Sequence, residues 1–174
     1  MLGYFDKEVL YTLGHSNLPL ERFIELLRAN GVEVVVDVRA RPFSRHNPQY
    51  NHRPFARALA EAGFGYVWMG DRLGGVPHGS RQRLDVEERL RDPGFRKGLE
   101  DLVELASRHA VALVCAEEDP RRCHRRFLVV RGLVEFGALE PEDVIHIRAD
   151  GRTVTEAQLR AEEAPLFSGR LDPG

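Results

Sequence analysis

Apolar and polar positions alternate along this chain in two rhythms, short β-branched runs and longer stretches of helical period. "EVLYTLG" (8–14) predicts a first strand. "LERFIELLRANG" (20–31) then sets Leu20, Phe23, Ile24 and Leu27 on one helical stripe, with Ser16 or Asn17 as its cap, Pro19 in its first turn and Gly31 at its end. "VEVVVDV" (32–38) is almost continuously apolar, as a strand buried on both faces would be. A helix over 53–63, a short strand "FGYVWM" (64–69), a helix over 95–109 and a second buried strand "AVALVC" (110–115) follow. The next helix is predicted from near Pro120 to Gly137, and "DVIHI" (143–147) is the last strand.

This rhythm predicts an α/β fold: one mostly parallel, five-stranded sheet with helices on both faces, because parallel neighbours need crossover connections. The 174 residues suit a single domain. Residues 1–148 are expected to form the α/β domain and 149–174 a peripheral C-terminal tail, frayed at its end.

A formal charge of -2 excludes a chain that is basic throughout, so any affinity for phosphate must come from local patches. No apolar run approaches the roughly 20 residues that span a bilayer, and "MLGYFDKEVL" lacks the zones of a secretory signal. The expectation is a cytoplasmic protein without a membrane partner. Two cysteines in such a chain are expected as reduced thiols, and a four-cysteine zinc site is excluded by count.

In open parallel sheets, ligands gather beyond the carboxyl ends of the strands. Four unusual loops fall there: "GHSN" (14–17), "DVRARPFSRHNPQYNHR" (37–53), "GDRLGG" (70–75) and "CAEEDPRRCHR" (115–125). The second, with the helix start after it, carries Arg39, Arg41, Arg45, Arg53, Arg57, His46 and His52, and no acid stands between Asp37 and Glu61. Tyr50 and Phe43 are its candidate base-stacking rings. The plainer alternative is a solvated basic loop paired with surface carboxylates. Arg121, Arg122, Arg125 and Arg126 predict a second basic patch on the same edge, and two such patches would repel unless an anion lay between them.

In "CAEEDPRRCHRRF" (115–127), Asp119 fits an N-cap with Pro120 at the first helical position. Cys115 and Arg121 have the spacing of cysteine-dependent phosphatases, but the intervening "AEEDP" would oppose both a phosphate and a thiolate. Cys115 therefore reads as the buried end of a strand. Cys123 adjoins His124 and Arg125, which suits a nucleophile, yet Cys123, Phe127, Val130 and Val134 also fit one apolar helical stripe. Asp37 and Glu117, each just past a buried strand, can serve as general base or nucleophile, or as salt-bridge partners of Arg39 or Arg125. His15 and His124 complete the candidates for proton transfer. These four residues could hold a divalent cation, although no metal spacing such as HExxH is present.

"TLGHSN", "VVVDVRARPFSRHNPQYN", "LGG" and "CAEEDPRRCHRR", in this order and spacing, resemble the family catalogued as domain of unknown function 488, over about Tyr11 to Ile147. The resemblance implies a small cytoplasmic α/β domain with a motif-defined cleft, and no particular reaction. Its block positions are His15 and Ser16; Asp37, Arg39, Pro42, Ser44, Arg45, Pro48 and Asn51; Leu73, Gly74 and Gly75; and Cys115, Glu117, Cys123, His124 and Arg125.

The leading expectation is an enzyme, a hydrolase or transferase, acting on a nucleotide or nucleic acid. Arg39, Arg45 and Arg125 would hold the anion with Ser16, Ser44 and Asn51, Glu117 would act as base or nucleophile with Asp37 supporting, and His124 or His15 would move protons. No cofactor is required, with a divalent metal as an option. The rivals are a non-catalytic nucleic-acid or phosphate-binding module and a thiol enzyme using Cys115 or Cys123.

Overall fold

A computed structural model describes residues 9–75 and 83–164. Its centre is one sheet of order β3-β2-β4-β1-β5-β6, comprising β1 (Leu10–Gly14), β2 (Val34–Asp37), β3 (Gly65–Trp68), β4 (Val111–Cys115), β5 (Val144–Ile147) and β6 (Thr153–Thr155). The first five are parallel, with Leu13 opposite Val114 and Asp37 opposite Val114 and Trp68. β6 runs antiparallel on the β5 edge.

The apolar runs of β2 and β4 lie in the middle of the sheet and feed both faces in alternation. Val34, Val36, Val111 and Leu113 pack with Leu99 and Leu102 of α5 (Pro93–Ala106), which follows the short α3 (Gly70–Leu73) and α4 (Val86–Arg91), and with Leu133 of α6 (Arg131–Glu135). Val35, Ala112 and Val114 pack with Phe23 and Leu27 of α1 (Leu20–Ala29) and Phe55 and Leu59 of α2 (His52–Glu61). Full burial of each such side chain is worth about 1.5–3 kcal/mol. Because α1 and α2 cover one face and α5 and α6 the other, loops leave the carboxyl edge in opposite directions, which is where a parallel sheet opens a ligand site.

Three expectations are corrected. The sheet has six strands, not five: Arg148 to Arg152 turns back on itself through Gly151 at φ 88°, and Thr153–Thr155 then pairs with β5. The stretch expected as a peripheral tail thus supplies an edge strand and α7 (Glu156–Glu163), whose N-terminus is closed by a capping box of Thr155 and Gln158; the residues after 164 lie outside the described ones. The helix expected from Pro120 to Gly137 is broken. Asp119 caps a single 3₁₀ turn, Pro120–Arg122, Cys123 is extended at φ -125° and ψ 138°, and helical backbone resumes as wide π-type turns over Arg125–Val130 before α6. Wider turns shift the helical register. Cys123 and Val130 are therefore buried while Phe127, expected on their stripe, is exposed. Finally, α1 is entered through Pro19 without a side-chain cap from Ser16 or Asn17.

Candidate functional site

At the carboxyl edge the β1–β4 ladder continues past the strands: His15 N–H donates to the Cys115 carbonyl at 2.8 Å and Ser16 N–H to that of Ala116 at 2.9 Å. The chain after β4 then folds directly over Gly14, where any Cβ would overlap the Glu117 carbonyl. Ser16 takes φ 43°, a left-handed conformation uncommon outside glycine, to leave this contact.

Asp37, wholly buried at the end of β2, is the ion-pair partner of Arg39. Oδ1 accepts from Arg39 N and Nε at 3.1 and 2.9 Å, and Oδ2 accepts from Arg39 Nη2 at 2.7 Å and the Tyr66 hydroxyl at 2.6 Å. Arg39 also donates from Nη2 to the Tyr50 carbonyl, 2.7 Å, and from Nη1 to His15 Nε2, 3.2 Å. The His15 Nδ1 lies 2.8 Å from the Ser16 carbonyl. A carbonyl only accepts, so the proton sits on Nδ1 and the ring is neutral. Burial, helped by the Arg39 charge, holds the His15 pKa down at about 4. Tyr50 stacks on His15 at 4.3 Å and is wholly buried, with its hydroxyl on the Leu18 carbonyl. It is a core residue, which removes it from the candidate base-stacking rings.

On the other side of β2, Arg125 is also wholly buried, and its contacts are all internal: Nε to Thr12 Oγ1 at 3.1 Å, Nη1 to Cys115 Sγ at 3.1 Å and the Glu117 carbonyl at 2.6 Å, Nη2 to the Glu118 carbonyl at 3.0 Å. Instead of facing an opening, it shapes the 115–118 loop from beneath. Burial pushes its pKa down to about 10. Thr12 in turn lies 2.7 Å from His146 Nδ1, His146 Nε2 lies 3.0 Å from Glu156 Oε1, and Glu156 accepts from Arg126 and Arg160. Cys115 and Cys123, expected as reduced thiols, bring their sulfurs together, because the extended step at Cys123 carries the chain back over the end of β4; their Cα atoms, 7.7 Å apart, stand wider than those of a disulfide. His124 Nε2 donates to the Val38 carbonyl at 2.8 Å, and its Nδ1 lies 4.0 Å from Cys123 Sγ. Its pKa is lowered, first by burial. A Cβ on Gly75 would come within 3.1 Å of the His124 ring, and one on Gly74 would press on Ala40, so the "LGG" block needs glycine to close against both neighbours.

The four loops thus meet on one edge, but the titratable candidates lie at different depths. Asp37 and His15 are enclosed, His124 is half-buried, and the Glu117 side chain is exposed. No three His, Cys, Asp or Glu side chains among the described residues come together as a metal site. A concavity of about 390 Å³ lies towards β5 and β6, lined by Glu118, Arg148, Asp150, Arg152 and their neighbours, and Glu118 is held there by Arg148.

The basic candidates divide sharply. Ser44 N–H donates to Asn51 Oδ1 at 2.7 Å, Asn47 N–H to Ser44 Oγ at 3.0 Å and His52 N–H to the Pro42 carbonyl at 2.9 Å, so Ser44 and Asn51 clamp the 42–52 loop shut. From it and from α2, Arg41, Arg45, Arg53, Arg57, His46 and Phe43 project into solvent. The predicted second patch dissolves: Arg121 pairs with Asp119 and Arg126 with Glu156 and Glu163, Arg125 is buried, and of the four only Arg122 is exposed without a carboxylate among the described residues.

The family model for the domain of unknown function DUF488 matches residues 19–131, more than half of the 174. The chain belongs to this family. Of the DUF488 protein's four motif blocks, the match takes in Asp37 to Asn51, Leu73 to Gly75 and Cys115 to Arg125, while His15 and Ser16 stand just before it. No curated protein and no solved structure matches the chain. No helix among the described residues is long and apolar enough to cross a membrane.

Sequence reasoning passed over two groups of residues in this DUF488 chain. One is the buried line of Thr12, His146 and Glu156, whose components are spread over three elements and show no periodic signal. The other is Trp68 with Tyr66 at the end of β3. The rule that ligands gather at carboxyl strand ends would have singled out Trp68, which closes a strand directly before Met69 and Gly70.

Proposed function

We propose that this protein binds a phosphate-bearing ligand, a nucleotide or a single-stranded nucleic acid, on the surface formed by the β2–α2 loop and the first turns of α2. One observation carries this reading. Arg41, Arg45, Arg53 and Arg57 are exposed and lack a carboxylate partner among the described residues, whereas most other described arginines, Arg72, Arg89, Arg126, Arg131 and Arg148 among them, sit on one. In a chain with 27 acids to 25 basic residues, such a segregated patch has an electrostatic cost that a bound anion would relieve. The first turn of α2 holds no acid either, although a helix N-terminus favours one. The clamped loop presents these charges already ordered, which lowers the entropic penalty of binding.

The test is titration of nucleotides and single-stranded oligonucleotides at several salt concentrations. Binding that weakens steeply with salt is expected, and its absence for every ligand would overturn the proposal. A second reading adds turnover: Glu117 is an exposed carboxylate on the same edge, its backbone anchored by Arg125. Glu117→Gln should leave binding intact under either reading and abolish any hydrolysis or transfer only under the second. A cytoplasmic setting belongs to both readings.

A further inference from the structure

Trp68 is the last residue of the edge strand β3 and the only tryptophan in the chain. It is 37% exposed, whereas Tyr66 and Phe55 beside it are half-buried and wholly buried. Its orientation is fixed: the indole Nε1–H donates to the Arg39 carbonyl at 2.8 Å, and Gly70 leaves the space for this, since a Cβ there would overlap both partners. His52, exposed at the start of α2, stands edge-on to it, ring centroids 6.2 Å apart at 82°. The same imidazole stands edge-on to Tyr66, 5.4 Å away at 73°, with Nδ1 3.2 Å from the Tyr66 hydroxyl. The result is a rigid aromatic corner open to solvent.

The corner adjoins the arginines that have no carboxylate partner among the described residues. Arg53 follows His52 in sequence, His52 N–H is bonded to Pro42, and Arg41 lies two residues beyond the carbonyl that holds Trp68. A flat ring with exposed surface next to ordered cationic groups matches a nucleotide in both of its parts, base and phosphate. We propose that Trp68, with His52 as the side wall, is a stacking platform for a nucleobase of the ligand whose phosphates meet Arg41 and Arg53. The inference rests on the phosphate-binding reading above and adds the requirement for a base.

Because Trp68 is the sole tryptophan, its emission reports directly on the platform. Three probes are titrated into the wild-type protein: a deoxythymidine oligomer of about 12 nucleotides, within the site sizes of single-strand binders, thymidine monophosphate, and inorganic polyphosphate. Expected is saturable quenching by the oligomer, with polyphosphate displacing it but not quenching by itself. Equal saturation by the monophosphate would also support stacking and identify the ligand as a mononucleotide. In anisotropy with labelled oligomer, Trp68→Leu should weaken binding about 5- to 150-fold, the span of one lost base stack. Trp68→Phe should recover part of it, and polyphosphate affinity should be unchanged in both. Salt-sensitive oligomer binding without quenching, and with Trp68→Leu binding as tightly as wild type, would overturn the platform and leave the phosphate reading standing. No binding of any probe would remove both. Emission that shifts with protein concentration alone would make the corner a contact between copies of this chain and also overturn the platform.

Discussion

The Tyr66 hydroxyl donates to Asp37 Oδ2 at 2.6 Å, so the aromatic corner at the sheet edge and the buried Asp37–Arg39 pair are tied into one unit. Burial and the Asp37 charge both push the Tyr66 pKa up, which keeps the phenol protonated as a donor. Tyr66→Phe leaves one oxygen of a buried carboxylate short of a partner. The expected loss is about 1–3 kcal/mol, seen as a lower denaturant midpoint at unchanged slope.

Asp37→Asn should do more. It strips the charge facing Arg39, a guanidinium that is itself buried. Breaking a buried pair on one side is destabilising by about 3–5 kcal/mol, so the variant should melt well below the wild type, with insoluble expression as the extreme of the same outcome.

Stability should fall as the pH drops from neutral. The His15 pKa is about 4 in the folded state against 6.5 when unfolded, so between these values the unfolded chain takes up the proton and the folded one does not. The contribution of the neutral ring is complete above pH 6.5 and is lost as the pH approaches 4. His124 and His146 shift in the same direction, primarily through burial, and Glu156, held at about 2, adds its own loss below pH 4.5. Urea midpoints between pH 7.5 and 4.5 measure the slope, and His15→Gln should flatten it. A flat profile for the wild type would contradict the burial of these rings.

Gly14→Ala and Gly31→Ala should separate steric exclusion from backbone strain. At Gly31 nothing lies within 4 Å of the place a methyl would take, so only its φ of 70° opposes a side chain, about 1–2 kcal/mol. At Gly14 the methyl meets the Glu117 carbonyl and the chain cannot yield without tearing the β1–β4 ladder. Thermal unfolding should rank Gly14→Ala as clearly the more damaging.

For the arginine surface, Arg45→Gln and Arg53→Gln should each reduce the salt dependence of oligonucleotide binding by roughly 0.7 in log–log slope for every phosphate left without its cation. Arg121→Gln, where Asp119 already neutralises the charge, should change little.

Much of this architecture was legible in the chain. Unbroken apolar runs such as VVV and VALVC name central parallel strands, and Phe23 and Leu27 at helical spacing name the buried face of α1. What escaped was decided by contacts between distant residues. The break at Cys123 follows from Arg125 reaching under the β4 loop, and Tyr50 was drawn into the core by His15, Phe23 and Phe55. β6 did carry a local sign, Asp150-Gly151 ahead of a β-branched triplet, which marks a hairpin even in a polar stretch.

The hydrogen-bonded line from Glu156 through His146 and Thr12 to Arg125 ends on the Glu117 carbonyl. The acid at the rim is therefore seated from the far end of the polypeptide, by a helix that the family match does not include. Shortening the chain before Glu156 would remove no rim residue, yet it would leave Arg126 and His146 without their carboxylate and loosen the far end of the line on which Glu117 is seated.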